Sequence, residues 1–243
     1  YDNALLTRVY LQAHQITGAD GHRSIVEDTL DYLLADMRTT EGAFSSARDA
    51  DSEGEEGLFY LWTLEEVREV LQPDEASLFS RAYDVAAGGN FEGKSILNLP
   101  HNLEAISRAE GIPADKLAMT LAKARSKLLE VRNRREPPFR DDKVIVSWNA
   151  MAIRALAEAG AGLGRWDYVE SARLAADFLW VKLRVDGRLL HTYMAGEAKI
   201  LGFLDDHAGL GNALLSLHEA TLDWRYLEAT HWLCEEILDR FWD

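Results

Sequence analysis

The feature that most constrains this 243-residue chain is a helical-hairpin pattern that occurs three times, over residues 2–33, 148–179 and 206–238. Shifting the first segment by 146 positions lays Asn3 on Asn149, Ala4 on Ala150, Arg8 on Arg154, Gly18 on Gly164 and Asp31 on Asp177. Shifting the second by 58 lays Ala150 on Ala208, Trp166 on Trp224 and Tyr168 on Tyr226. In each segment apolar residues recur at helical spacing, a short break follows, and the spacing resumes. Leu5, Leu6, Val9 and Ala13 lead to Gly18 and Gly21; Ile153, Leu156 and Ala157 lead to Gly162 and Gly164; Leu210, Leu214 and Leu217 lead to Asp223. The first helix of each pair is apolar on more than one face, which marks it as buried; the more charged second helix faces water on one side. Such hairpins stack into a solenoid or close into a toroid.

The region between the first two hairpins is less regular. Residues 57–62, Gly-Leu-Phe-Tyr-Leu-Trp, read as a strand. Thr63 with Glu66 three residues on is a capping box that starts a helix. Residues 117–135 carry Leu117, Leu121, Ala124, Leu128 and Val131 at helical spacing and predict a long helix of an irregular fourth hairpin. The fold class is all-α, with residues 1–243 as a single domain.

Composition narrows the function. Lys and Arg total 26 against 41 Asp and Glu, a formal charge of −15. Unaided binding to nucleic acid or to an anionic membrane needs clustered positive charge and is disfavoured. The single cysteine, Cys234, rules out an internal disulfide and a multi-cysteine zinc site, and it fits a reducing, cytoplasmic setting. No stretch reaches the roughly 18 uninterrupted apolar residues of a membrane span. The chain opens without Met inside a helical pattern, which suggests a piece of a longer polypeptide.

The turns inside hairpins are short, at 18–21, 162–165 and 221–224, whereas the links between hairpins are long, at 36–63, 135–147 and 184–204. Antiparallel pairing puts links of one kind at one end, so the long loops gather at a rim where the buried helices begin. Four clusters lie there. Asp49, Asp51 and Glu53 before Gly54 mimic the start of a calcium loop, but the twelfth position is Tyr60, so an EF-hand is excluded. Calcium in another geometry or a solvated acidic turn remain. Glu92 and Lys94 flank Gly93 in a glycine-rich turn where an ion pair between the two is one reading; the spacing fits no phosphate loop. Arg140, Asp142 and Lys143 precede Trp148 and Asn149 at a helix start. Such a mixture suits a sugar, whose hydroxyls take carboxylates and amides while its ring stacks on indole; a salt-bridged anchoring loop is the alternative. Asp205, Asp206 and His207 open the next helix, either as proton-transfer groups or as a plain cap. No cofactor or metal motif is present.

These clusters resemble one family. Tyr1-Asp2-Asn3-Ala4-Leu5-Leu6, Ala43-Phe44-Ser45-Ser46-Ala47 with Asp49 to Gly54, Phe59-Tyr60-Leu61-Trp62-Thr63, Asn90-Phe91-Glu92-Gly93-Lys94, Asp141-Asp142-Lys143 with Ser147-Trp148-Asn149, and Phe203-Leu204-Asp205-Asp206 match the spermatogenesis-associated, thioredoxin-domain proteins in order. One departure is His207, where the family has Tyr. The resemblance implies an N-terminal thioredoxin-like domain, absent here, as a partner of a six-hairpin α/α toroid like that of N-acylglucosamine 2-epimerases and related glycosidases. This chain would then be part of an (α/α)6 toroid, with short β-hairpins in its rim loops. The expected function is carbohydrate-active or carbohydrate-binding, with a non-enzymatic scaffold as the alternative. In the first case Asp205, Asp206 and His207 would be catalytic. Asp49, Asp51, Glu53, Glu92, Lys94, Arg140, Asp142, Lys143, Trp148 and Asn149 would bind substrate, Trp148 by stacking and Arg140 or Lys143 by holding an acidic substituent.

Overall fold

The computed structural model describes residues 1–242. Among these the chain forms ten α-helices in order: α1 Asp2–Thr17, α2 Asp20–Tyr32, α3 Leu64–Val70, α4 Pro73–Ala82, α5 Leu103–Glu110, α6 Ala114–Arg132, α7 Val146–Leu163, α8 Trp166–Lys182, α9 Leu204–Thr221 and α10 Trp224–Arg240. Within the span expected as one domain there are two compact units. Of the described residues the first joins 1–47 to 140–242, and the second is 48–139.

The first unit holds the three repeated hairpins, α1–α2, α7–α8 and α9–α10, as the sequence predicts. Helix α7 packs between α1 and α9. It buries eleven residues, among them Ile153, Leu156 and Ala159, and so is apolar nearly all round. The three first helices run parallel. Ser147, at the start of α7, donates its N–H to Asp206 at the start of α9; one helical stretch further on, Ser216 of α9 donates to Glu158 of α7. The α7–α8 turn is tight because Gly160 has no side chain: a Cβ there would stand 2.6 Å from Val169 Cγ2 and 2.9 Å from the Arg165 carbonyl.

The second helices are latched by a repeated contact. Tyr168 of α8 donates its hydroxyl to Asp31 of α2 (2.7 Å), and Tyr226 of α10 donates to Asp177 of α8 (3.4 Å). Arg165 and Arg225 reinforce these carboxylates at 3.2 Å each. Burial, with the neighbouring Asp31, raises the Tyr168 phenol well above its ordinary range. The sequence repeat therefore encodes the latch as well as the core.

The link between α8 and α9 forms a β-meander, one of the short rim hairpins expected. Arg184–Val185 pairs with Arg188–Met194, which pairs in turn with Glu197–Leu201 and with Val144–Ile145, all antiparallel. Its turns, Asp186-Gly187 and Ala195-Gly196, both have positive φ at each residue. That is the two-residue turn whose twist matches paired strands, and glycine at its second position avoids the steric cost.

The second unit has its own core, built on Trp62, Val67, Phe79, Ile106, Leu117, Leu121 and Leu128. The capping box is present: Thr63 Oγ1 accepts from Glu66 N–H at 3.1 Å, and Glu66 accepts from Thr63 N–H at 2.7 Å. The long helix predicted at 117–135 is α6, which ends at Arg132. Residues 57–62 are not the strand expected. They form turns, with one bridge from Trp62 to Ser95. The cause is Arg135, whose Nη1 donates to the carbonyls of Leu58, Phe59 and Leu61 at 3.4, 3.2 and 2.6 Å. Its guanidinium also lies 4.2 Å over the Trp62 ring and pairs with Glu66. Carbonyls gathered on one cation cannot point alternately to two neighbouring strands.

Candidate functional site

In the first unit the starts of α1, α7 and α9 come together. Tyr1 and Trp148 touch, with ring centroids 4.9 Å apart. Asn149 lies beneath, 2% exposed. Its Oδ1 accepts from Phe44 N–H at 2.7 Å, and its Nδ2 donates to the carbonyls of Phe44 and Ile145 at 2.9 and 3.0 Å. The amide is spent inside the fold, so Asn149 acts as a strut under the rim and not as a ligand for hydroxyls. Beside it Arg140 donates to Asp142 (2.6 Å) and to the Asp36 carbonyl (2.8 Å), while Ser45 donates to Asp142. Lys143 Nζ pairs with Asp141 at 3.1 Å. Asp141 is partly desolvated, yet hydrogen bonds from Lys143 and Ser46 lower its pKa. The cleft between Tyr1, Ser46 and Trp148 measures about 60 Å³, well under the roughly 300 Å³ of a small-molecule pocket.

The triplet opening α9 separates by role. Asp205 is exposed, whereas Asp206 is fully buried and His207 is 3% exposed. Asp206 Oδ1 accepts from Ser147 N–H (3.0 Å), and Oδ2 accepts from Phe203 N–H (2.9 Å). It thus caps α9 and ties it to α7, the plain-cap alternative for this residue. His207 Nδ1 donates to the Phe203 carbonyl at 2.8 Å, and its ring packs 5.2 Å from Phe241.

A third hydrogen bond changes the chemistry of Asp206. His191 Nδ1 donates to its Oδ2 at 2.7 Å, and the imidazole keeps one fifth of its side chain exposed. His191 belongs to the central meander strand, on the same face as buried Leu189 and Tyr193. A buried carboxylate that fixes Nδ1–H leaves Nε2 as the lone-pair nitrogen, an arrangement suited to general-base work. The sequence reading missed His191; the signal was Asp186-Gly187 followed by alternating Leu189, His191 and Tyr193.

In the second unit the acidic cluster is a hairpin. Asp51 pairs with Glu56 and Ser52 with Glu55 across a Glu53-Gly54 turn, with φ 53° and 84°. Asp49 accepts from the N–H of Asp51 at 3.3 Å. Glu92-Gly93 makes the same kind of turn between Phe91 and Lys94. Lys94 pairs with Glu55 at 3.3 Å and not with Glu92. Near these turns a recess of about 450 Å³ is lined by Glu56, Tyr60, Trp62, Phe91, Leu97 and Arg132. Among the described residues no group of three or more His, Cys, Asp or Glu could hold a metal ion. Among the described residues no helix is long and apolar enough to cross a membrane either.

Comparison with known proteins follows the motifs. All of the chain aligns with spermatogenesis-associated protein 20 of Rattus norvegicus at 30% identity over 279 residues, and of Homo sapiens at 28% over 278. The chain is thus similar along its whole length to the spermatogenesis-associated proteins. It spans about a third (35%) of the length of these curated relatives. No family model matches it. Among solved structures, a sugar epimerase from a ruminal bacterium aligns at 13% identity and TM-score 0.38, covering 98% of this chain and 58% of its own. A D-mannose isomerase aligns at 14% and 0.42, covering 98% and 57%.

Proposed function

We propose that this chain is a carbohydrate-directed helical-hairpin module that moves a proton on a sugar through His191. The observation that carries the reading is the His191–Asp206 pair at 2.7 Å. Asp206 orients the imidazole, and Nε2 takes a proton from a carbon beside a carbonyl and returns it to that carbon or its neighbour. The family resemblance, with its epimerase-like architecture, supports a sugar as substrate; it is a likeness of fold and carries less weight than the site. Of the triplet expected to be catalytic, Asp206 keeps a positioning role, while His207 is held by Phe203. Exposed Asp205 and half-buried Trp148 are, with His191, groups on this rim open to a ligand. The second unit offers an aromatic recess lined by Tyr60, Trp62 and Phe91 and suited to stacking on a sugar ring. Asp49, Asp51, Glu53, Glu92 and Lys94 do not line it, and a binding role for them stays part of the proposal. The proposal includes a cytoplasmic setting and a thioredoxin-like domain as working partner.

The scaffold reading has one observation in its favour: Asp141, Asp142 and Glu55 are already paired with Lys143, Arg140 and Lys94. The two readings part in a single experiment. The full-length polypeptide is incubated with a panel of reducing sugars in D2O, and proton NMR follows exchange at the carbon next to the carbonyl. Exchange with one sugar, abolished by His191→Gln, supports the enzyme. No exchange with any sugar, or exchange that survives His191→Gln, leaves the scaffold.

A further inference from the structure

We propose that a groove between α1 and α7 is a binding site for a small molecule bearing an oxyanion, and that its receptors are the guanidinium groups of Arg8 and Arg154. The proposal rests on the reading above for the sugar but not for the anion.

The groove measures about 520 Å³ and is lined by Arg8, Leu11, Gln12, Gln15, Arg154 and Glu158, with Ala161 and Gly162 at its end. That volume lies in the range of small-molecule sites, unlike the rim cleft beside Trp148. Its centre is Glu158. Arg8 Nε donates to one carboxylate oxygen at 2.8 Å, and Arg154 Nε donates to the other at 2.6 Å. Ser216 adds a hydroxyl donor at 3.2 Å. Burial works against the Glu158 charge, but the bonds from Arg8 and Arg154 outweigh it and lower the pKa.

Charge and geometry leave something over. Two guanidiniums meet one carboxylate, so the cluster carries one uncompensated positive charge in a chain of net charge −15. Each arginine is bound through Nε alone, and the η nitrogens of both make no hydrogen bond to any described residue. A structural ion pair would be complete with one arginine. Here the carboxylate braces two planar forks, and their outer edges match an oxyanion bidentately. Both side chains are partly exposed, at 23% and 33%, so the forks are reachable. The Gln12 and Gln15 amides add neutral donors and acceptors suited to hydroxyls.

The sequence repeat builds the cluster. Arg8 and Arg154 are equivalent positions, and so are Gln12, Glu158 and Ser216 under the shifts of 146 and 58. Position 154 maps to Asn212 in the third hairpin, where no third arginine stands. The positive charge is therefore confined to the α1–α7 side. Arg140 and Lys143, the cations expected from the sequence to hold an acidic substituent, are engaged with Asp142 and Asp141, so this role passes to Arg8 and Arg154.

Calorimetric titration of the full-length protein with glucuronate, inorganic phosphate and glucose tests the assignment. Saturable glucuronate binding is expected to weaken about tenfold or more in Arg8→Gln and in Arg154→Gln, the loss of a charged hydrogen bond. Arg154→Lys keeps the charge and the Glu158 pair but loses the fork, and is expected to weaken binding several-fold while folding normally. Phosphate binding that depends on both arginines, with no binding of either sugar, upholds the anion site and removes the sugar reading. Glucuronate binding that is unchanged in all three variants, or no binding of any anion at millimolar concentration, overturns the site.

Discussion

The two units solve the same problem differently. In the first, three hairpins bury apolar helices against one another, and equivalent residues repeat equivalent contacts: Tyr168 with Asp31, Tyr226 with Asp177. In the second, three short helices, the long α6 and the turns between them are fastened by side chains that reach to the backbone, above all Arg135 on three carbonyls. Periodic burial needs no single residue to hold the path of the chain. An irregular path buries peptide groups that have no ladder partner, so polar side chains must satisfy them. The first unit also uses this device, at its rim, where Asn149 and Asp206 secure loops to helix starts, and at its hairpin turns, where His218 reaches the Asp223 carbonyl.

That contrast can be broken at its strongest points. The largest effect is expected from Asp206→Ala, which leaves the Ser147 and Phe203 N–H groups and His191 without their buried acceptor. Breaking such a buried charged hub costs about 3–5 kcal/mol, read as a drop in denaturant midpoint. A loss below one kcal/mol would mean the rim is not secured this way. Next comes Arg135→Met, expected to cost about 1.5–3 kcal/mol from charged hydrogen bonds. Hydrogen exchange should rise in residues 57–62 and stay unchanged in α7. Equal exchange in both would erase the distinction between the units. The smallest effect is pH-linked. The Glu158 pKa is lowered by folding, so its contribution to stability is present above the unfolded-state pKa and is lost as pH falls through the folded-state value. Glu158→Gln should therefore be less stable than the parent at neutral pH and converge with it in acid. A difference that stays constant with pH would contradict the ion triad.

The sequence made the hairpins legible because their burial is periodic, and the internal shifts aligned Arg8 with Arg154 and Tyr168 with Tyr226 before any coordinates. It made the capping box at Thr63 legible because capping is local. It misled at residues 57–62, where strand-like composition was overridden by Arg135, more than seventy positions away. It also placed Asn149 and Asp206 at the correct helix starts without showing that both are buried. Burial of a polar residue depends on what its partners offer, here Phe44 for the first and His191 for the second. For His191 the turn at Asp186-Gly187 and the alternation of Leu189, His191 and Tyr193 could place it on the inner face of a strand, but its pairing with Asp206 shows only in the 2.7 Å distance.

The central claim is that Asp206 holds His191 in a form ready to accept a proton, and nitrogen-15 NMR of the imidazole reads this directly. The account predicts the tautomer with the proton on Nδ1 and a bare Nε2, with the proton shifted far downfield and the preference lost in Asp206→Asn. A proton resting on Nε2 in the parent, unchanged by that substitution, would contradict it.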